Sequence, residues 1–498
     1  MSRVIDALRI LGTRRPEATV IADERVVLTS RETDVLTRSL AVWLRQNGAK
    51  RVGLLADNSA AWALWDLAAL EAGITMVPLP GFFSDDQLHH IVVDAGLDFL
   101  ISDDSPRLDR ILSTLEAVAT GEEKVVVGRR FLVARVEQRT DPLPAGIAKV
   151  TYTSGTTGSP KGVLLRTETM ERVAASLAVA TGAGPADRHL ALLPLATLLE
   201  NIAGIYAPLL AGGCAVLYGQ QTVGVSGASG VDPHRLLNSL DNARATTAIA
   251  LPQLLQALVA ARAAGGVLPG RLRYLAVGGA PVSERLLNAA QAAGLPVFEG
   301  YGLSECASVV AVNRPGACRT GSVGKPLPHV GVRIAGDGEI FVSGALFDGY
   351  LHDPRPPGEE WPTGDLGHFD DEGYLHITGR KKNLFITAFG RNVAPEWVEA
   401  ELTAQPAIAQ AAVFGEAKPF NVAIIVPRLN AGETISEALA NANRRLPDYA
   451  QVERCIIADE PFTPHNGLLT ANGRPRREAI SRRYGRDIAA LYERAEAV

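Results

Sequence analysis

From residue 29 to about residue 300, short apolar runs alternate with helical segments, and this alternation restricts the fold more than any other feature of the chain. Thr29-Ser30-Arg31-Glu32 has the spacing of a capping box, in which hydroxyl and carboxylate satisfy each other's backbone amides. Behind it Leu36, Leu40, Trp43 and Leu44 fall on one helical face, and Gly48 stops the run. Strand-like runs follow at 52–56, 74–79, 99–102, 125–127, 150–153, 190–193, 215–217, 248–251 and 275–277. Helical stretches separate them, among them 60–71, 252–263 and 282–293. Strand, helix and strand in succession predict parallel sheets covered by helices, an α/β fold. The Gly/Ser/Val-rich stretch 219–230 reads as a loop. Near residue 330 the texture changes to short strands at 332–334, 339–343 and 374–378 joined by Gly/Asp turns, an antiparallel β element. A last unit of mixed strands and helices follows Gly379.

Composition excludes several classes. A chain of 498 residues exceeds one ordinary domain, and 47% hydrophobic with 21% charged residues rules out wholesale disorder. The net charge of −5 gives no reason to expect nucleic-acid binding. The four cysteines form no C-x-x-C pair, against a disulfide scaffold or zinc cluster. The first residues carry no long apolar run and no stretch of about 18 apolar residues occurs, so neither a secretory leader nor a transmembrane anchor is expected. The expectation is a soluble, cytoplasmic protein. His89-His90 read as surface residues, because adjacent histidines on a helix point apart. Cys306 reads as a small buried thiol.

The most informative segment is Thr151-Tyr-Thr-Ser-Gly-Thr-Thr-Gly-Ser-Pro-Lys-Gly162, directly after a strand-like run. Glycines let backbone amides converge on an anion, hydroxyls add donors, and Lys161 adds a mobile positive charge. It is not a Walker A loop. Further motifs follow in order: Gly278-Gly279-Ala280-Pro281, Tyr301-Gly302-Leu303-Ser304-Glu305, Thr363-Gly364-Asp365 and Gly379-Arg380-Lys381-Lys382-Asn383. Together these resemble the adenylate-forming enzymes, a family of acyl-CoA synthetases, luciferases and peptide-synthetase adenylation domains. The stretch from Arg380 to Pro395 looks most like the long-chain fatty acyl-CoA synthetase branch.

The resemblance implies a large N-terminal domain, 1–379, of two stacked α/β subdomains and a small β-barrel-like element. A small mobile α+β C-terminal domain, 380–498, would follow. It implies ATP, Mg²⁺ and coenzyme A as the small molecules. Thr153, Ser154, Gly155, Thr156, Thr157, Gly158 and Lys161 would wrap the phosphates. Gly279, Ala280 and Pro281 would line the adenine pocket with Glu299, Gly300, Tyr301 and Gly302, the tyrosine stacking on the base. Ser304 would donate to the α-phosphate and Glu305 would hold the metal. Asp365, joined by Arg380, would take the ribose hydroxyls. Lys382 stands at the family's hinge, and Gly390 in the segment that enters the site in the second pose. Thr197 and Asn201 fall in the acyl-binding stretch.

Two positions depart from the family pattern. Arg474 stands where the family keeps a catalytic lysine, and no lysine follows Lys418. Arginine keeps the charge but presents a planar fork. Thr197 stands where fatty acyl-CoA synthetases often carry histidine. Between His189 and Ile205 the only acid is Glu200, so no aspartate is present to pair with an α-ammonium, and an acid without an amino group is favoured. Leu198, Leu199, Ile202 and Ile205 suit either an apolar chain or plain core. Three readings stand: a ligase joining a fatty or aryl acid to a thiol, an acyl-AMP ligase loading an acyl carrier protein in trans, and a nucleotide-binding relative with impaired turnover.

Overall fold

The computed structural model describes residues 2–113, 122–136, 142–153, 160–226, 230–353, 358–428, 432–470 and 473–496. Two large sheets carry the N-terminal part. In the first, seven-stranded, Phe99–Ser102, Arg51–Leu55, Thr75–Pro78 and Ile147–Thr153 run parallel, and antiparallel strands flank them on both sides. Lys161–Arg166 returns beside Ile147–Thr153 with Thr153 opposite Lys161, so sheet pairing fixes both flanks of the phosphate-loop segment. The loop itself, 154–159, lies outside the described residues. In the second sheet, nine-stranded, a parallel core runs from Val297–Tyr301 through Tyr274–Val277, Thr247–Ala250, Arg188–Leu190 and Cys214–Val216 to Thr19–Ala22.

The helix Ala60–Ala72 is apolar on nearly every side, with Trp62 and Trp65 fully buried. A helix of that composition has no solvent face to offer and must be enclosed by packed layers. Ser59 caps its start and Gly73, at φ +69°, ends it. Asp66 in its middle is buried and meets the ammonium of Lys149 at 2.7 Å, and Glu71 near its end pairs with Arg9. The predicted capping box forms at Thr29 and Glu32, and the helix Pro252–Ala263 falls where periodicity put it.

The β element is a four-stranded antiparallel meander: Val330–Ile334, Glu339–Gly344, Glu360–Phe369 and Leu375–Arg380. The smaller C-terminal domain packs three helices on the sheet Ile408–Phe414, Asn421–Pro427 and Val452–Ile457, with hydrophobic clusters of its own. It docks on the N-terminal part through Gln256, whose amide donates to Thr403 O (3.2 Å) and accepts from Arg428 (3.0 Å). No helix among the described residues is long and apolar enough to cross a membrane.

Three local readings change. The strand expected at 190–193 ends at Leu190, because the amide of Leu193 turns to Glu200 and that of Leu195 to Asn58. Within 219–230 a short antiparallel pair forms, Val225–Ser226 with Gly230–Val231. His89 and His90 are half-buried rather than exposed, and His89 Nε2 has no hydrogen-bond partner among the described residues.

Candidate active site

The C-terminal ends of the parallel strands and the facing C-terminal domain enclose a cleft of about 3250 Å³. Crevices of this kind, beyond strand ends, are where open α/β sheets bind ligands. Thr153 and Lys161 stand on its wall, the ammonium 5.6 Å from the centre of the Tyr350 ring. Ser154, Gly155, Thr156, Thr157 and Gly158 lie outside the described residues.

The turn after Val297–Tyr301 is built under constraint. A Cβ at Gly302 would meet Ser308 O at 1.5 Å, so only glycine fits. Ala307 and Ser308 have φ of 48° and 100°, left-handed values that cost about 1–3 kcal/mol each in residues with side chains. This turn presents Ser304 and Glu305 to the cleft. Glu305 Oε1 accepts from the Tyr350 hydroxyl at 2.8 Å, and Oε2 has no hydrogen bond among the described residues. Cys306 is fully buried, and burial pushes its thiol up, so it is no nucleophile.

Asp365 is 4% exposed and tightly held. Its Oδ2 accepts from the Tyr301 hydroxyl and its Oδ1 forms an ion pair with Arg380 Nε, both at 2.7 Å. Burial and the neighbouring carboxylate raise the Tyr301 phenol well above its ordinary value, so it stays a donor. Each carboxylate oxygen keeps a further lone pair for a ligand hydroxyl. Gly278 cannot carry a Cβ, which would sit 2.7 Å from Gly300 O. Gly279 (φ +79°), Ala280, Pro281, Glu299 and Gly300 line the cleft beside it. Burial, with Glu284 nearby, pushes the Glu299 carboxyl up to about 8, although the side chain still reaches water.

Arg474 enters from the opposite domain. A tight turn holds it, Thr470 N donating to Arg474 O at 2.8 Å, and its Nη2 donates to Gly279 O at 2.9 Å. The guanidinium keeps solvent contact yet is walled in by the cleft; that burial first, and Arg380 second, pull it below an ordinary arginine. Lys382 also lines the cleft and is lowered by burial, then by Arg380 and Arg474. Asn383 beside it donates to Glu396, which also pairs with Arg477.

Of the stretch expected to meet an acyl group, only part lines the cleft. Thr197 lines the cleft at the start of a helical turn, its hydroxyl donating to Pro194 O at 2.7 Å. Leu198 and Leu199 line it too. Asn201 does not: it is fully buried, its amide oxygen taking the Lys149 ammonium and its nitrogen donating to Asp66 at 3.0 Å. Ile202 and Ile205 are core. Gly390, at φ +70°, sits on an exposed turn away from the cleft. Glu200 is fully buried, bound by His189 Nε2 (2.9 Å) and Leu193 N (3.0 Å), with the Thr247 hydroxyl 3.0 Å from the other ring nitrogen.

A family model described as AMP-binding enzyme matches residues 10–351, and one described as AMP-binding enzyme C-terminal domain matches 382–496. The chain belongs to the AMP-binding enzyme family. It is 28% identical to the long-chain-fatty-acid–CoA ligase FadD15 of Mycobacterium bovis, over 89% of this chain and 88% of that one. It is 29% identical to a feruloyl-CoA synthase of Amycolatopsis, over 94% and 96%. Among solved structures it is similar to the anthranilate CoA ligase AuaEII in complex with anthranoyl-AMP, with a TM-score of 0.78, 19% identity and coverage of 99% and 98%.

Some residues of this cleft escape sequence reasoning. Tyr350 belongs to no quoted motif, yet its hydroxyl bonds Glu305 directly while its ring packs in an aromatic trio with Phe347 and Trp361. Glu396 reaches the hinge segment only because the helix Pro395–Thr403 packs beside it.

Proposed function

We propose that the protein is an AMP-forming acid–thiol ligase. A carboxylate attacks the α-phosphorus of ATP, pyrophosphate leaves, and a thiol such as coenzyme A displaces AMP from the acyl-adenylate. The observation that carries this reading is the convergence of Lys161, Ser304, Glu305, Asp365 and Arg474 on one cleft, from two domains. Asp365, already oriented by Tyr301 and Arg380, suits ribose hydroxyls. Arg474 brings positive charge to where negative charge gathers at phosphorus.

No group of three or more His, Cys, Asp or Glu suited to a metal occurs among the described residues. Mg²⁺ needs no such cage, being held by one carboxylate and the substrate phosphates. Glu305 fits that part, because Oε2 is free of protein hydrogen bonds among the described residues. The ion would supply charge neutralisation at the phosphates.

The substrate is a fatty or aryl acid without an α-amino group, since Glu200 is consumed by His189 and Leu193 and offers nothing to an ammonium. Boundaries at 379/380 and rotation about Lys382 complete the proposal; the present pose, with Arg474 in the cleft and Gly390 outside it, suits the first half-reaction. Pyrophosphate exchange over short, long and aromatic acids, followed by thioester formation with coenzyme A or a carrier protein, tests it. No exchange with any acid refutes it.

A further inference from the structure

We propose, resting on the ligase reading above, that the preferred acid carries a hydroxyl group part-way along its chain, and that Thr247 accepts the hydrogen bond from it. The cleft continues past the adenylate end along one face of the nine-stranded sheet, lined by the alternate residues Tyr274, Ala276 and Gly278 and by Thr247 on the next strand. Successive outward residues on one face recur every second position, so these side chains form one continuous floor. Leu199 and Ala203 line it as well. Thr247 lies four residues before Leu251 at the strand's far end, about 13 Å along the chain direction. That is deep enough to meet the middle of a long acyl chain.

Into this mostly apolar groove the fold builds a polar relay. With Glu200 assigned as a carboxylate and His189 as a neutral ring, Nε2 carries the hydrogen between them. A neutral ring then presents Nδ1 as an acceptor, and the Thr247 hydroxyl donates to it. The Thr247 oxygen has given away its hydrogen and keeps acceptor capacity on the groove. The turn makes room for the relay: a Cβ at Gly204 would lie 2.6 Å from Glu200 Oε1. A site whose polar group expects a donor discriminates against chains that lack one.

The test is pyrophosphate release by the full chain with stearate, with hydroxystearates differing only in hydroxyl position, and with the matching oxostearates. We expect kcat/KM to peak about fivefold above stearate at one hydroxyl position, the worth of one neutral hydrogen bond. Thr247→Val should abolish the peak and Thr247→Ser should retain it. If the valine variant does not fold, the wild-type profile decides alone. A flat profile with stearate turned over, a peak for oxo acids instead, or turnover confined to acids too short to reach Thr247 overturns this inference and leaves the ligase reading standing. Silence with every acid, aromatic and short ones included, refutes both.

Discussion

Arg474 Nη2 bonds the main-chain carbonyl of Gly279 at 2.9 Å, joining the C-terminal domain to a turn that lines the cleft. The same guanidinium feels Asp365, Glu396 and Glu305. Its loss should therefore remove both charge and docking. Arg474→Ala is predicted to slow pyrophosphate exchange about 100-fold, the scale for deleting a preorganised transition-state donor. Arg474→Lys should hold most of the rate. Unchanged exchange in the alanine variant sinks the role.

Asp365 holds Tyr301 and Arg380 at once. Asp365→Asn keeps the shape but turns a charged acceptor into a neutral amide. Hydrogen bonds to charged groups are worth about 1.5–3 kcal/mol, so ATP affinity by calorimetry should fall roughly tenfold or more.

Glu299 makes the cleft sensitive to alkali. Its carboxyl ionises near 8 in the fold, against an ordinary value of 4.5. Between those values the unfolded chain has lost the proton and the folded one retains it, so this group's contribution to stability declines as pH rises through that window and levels off above it. Above about 8 it also sets a negative charge in the part of the cleft proposed to hold the adenine of an already anionic ligand. ATP affinity should weaken from pH 7 to 9 in the wild type and stay flatter in Glu299→Gln. Parallel profiles would discard the assignment.

The buried Lys149–Asp66 pair should dominate stability in its layer. Lys149→Met strands Asp66 in the core and is expected to cost about 3–5 kcal/mol in denaturant unfolding. Adding Asp66→Leu should recover much of that, since no uncompensated charge then remains.

The alternation of strand and helix, the capping box at Thr29 and the helix at Pro252 were legible because each is written in local spacing. The cleft motifs were legible because Gly302 and Gly278 admit no other residue, and such demands leave a mark in sequence. Asn201 was misread. Its neighbours line the cleft, and only the fold reveals that Lys149 and Asp66, distant in the chain, claim its amide. Tyr350 and Thr247 went unseen for the same reason: their partners Glu305 and His189 lie 45 and 58 residues away. Single-sequence spacing carries no record of such meetings.

Directly after Asn201 the chain forms a π-helical turn, Ile202–Tyr206, and Tyr206 at its end returns to Asp66 with a 2.8 Å hydrogen bond. A π-turn holds one residue more than an α-helical turn. Deleting a single residue there would let the turn close as an ordinary α-turn, which keeps the later side chains in phase and repacks only the turn itself, where Ala203 lines the cleft. The wall of the cleft at Ala203 is thus set by the surplus residue of five, and a one-codon deletion there reshapes it while both sheets stay as they are.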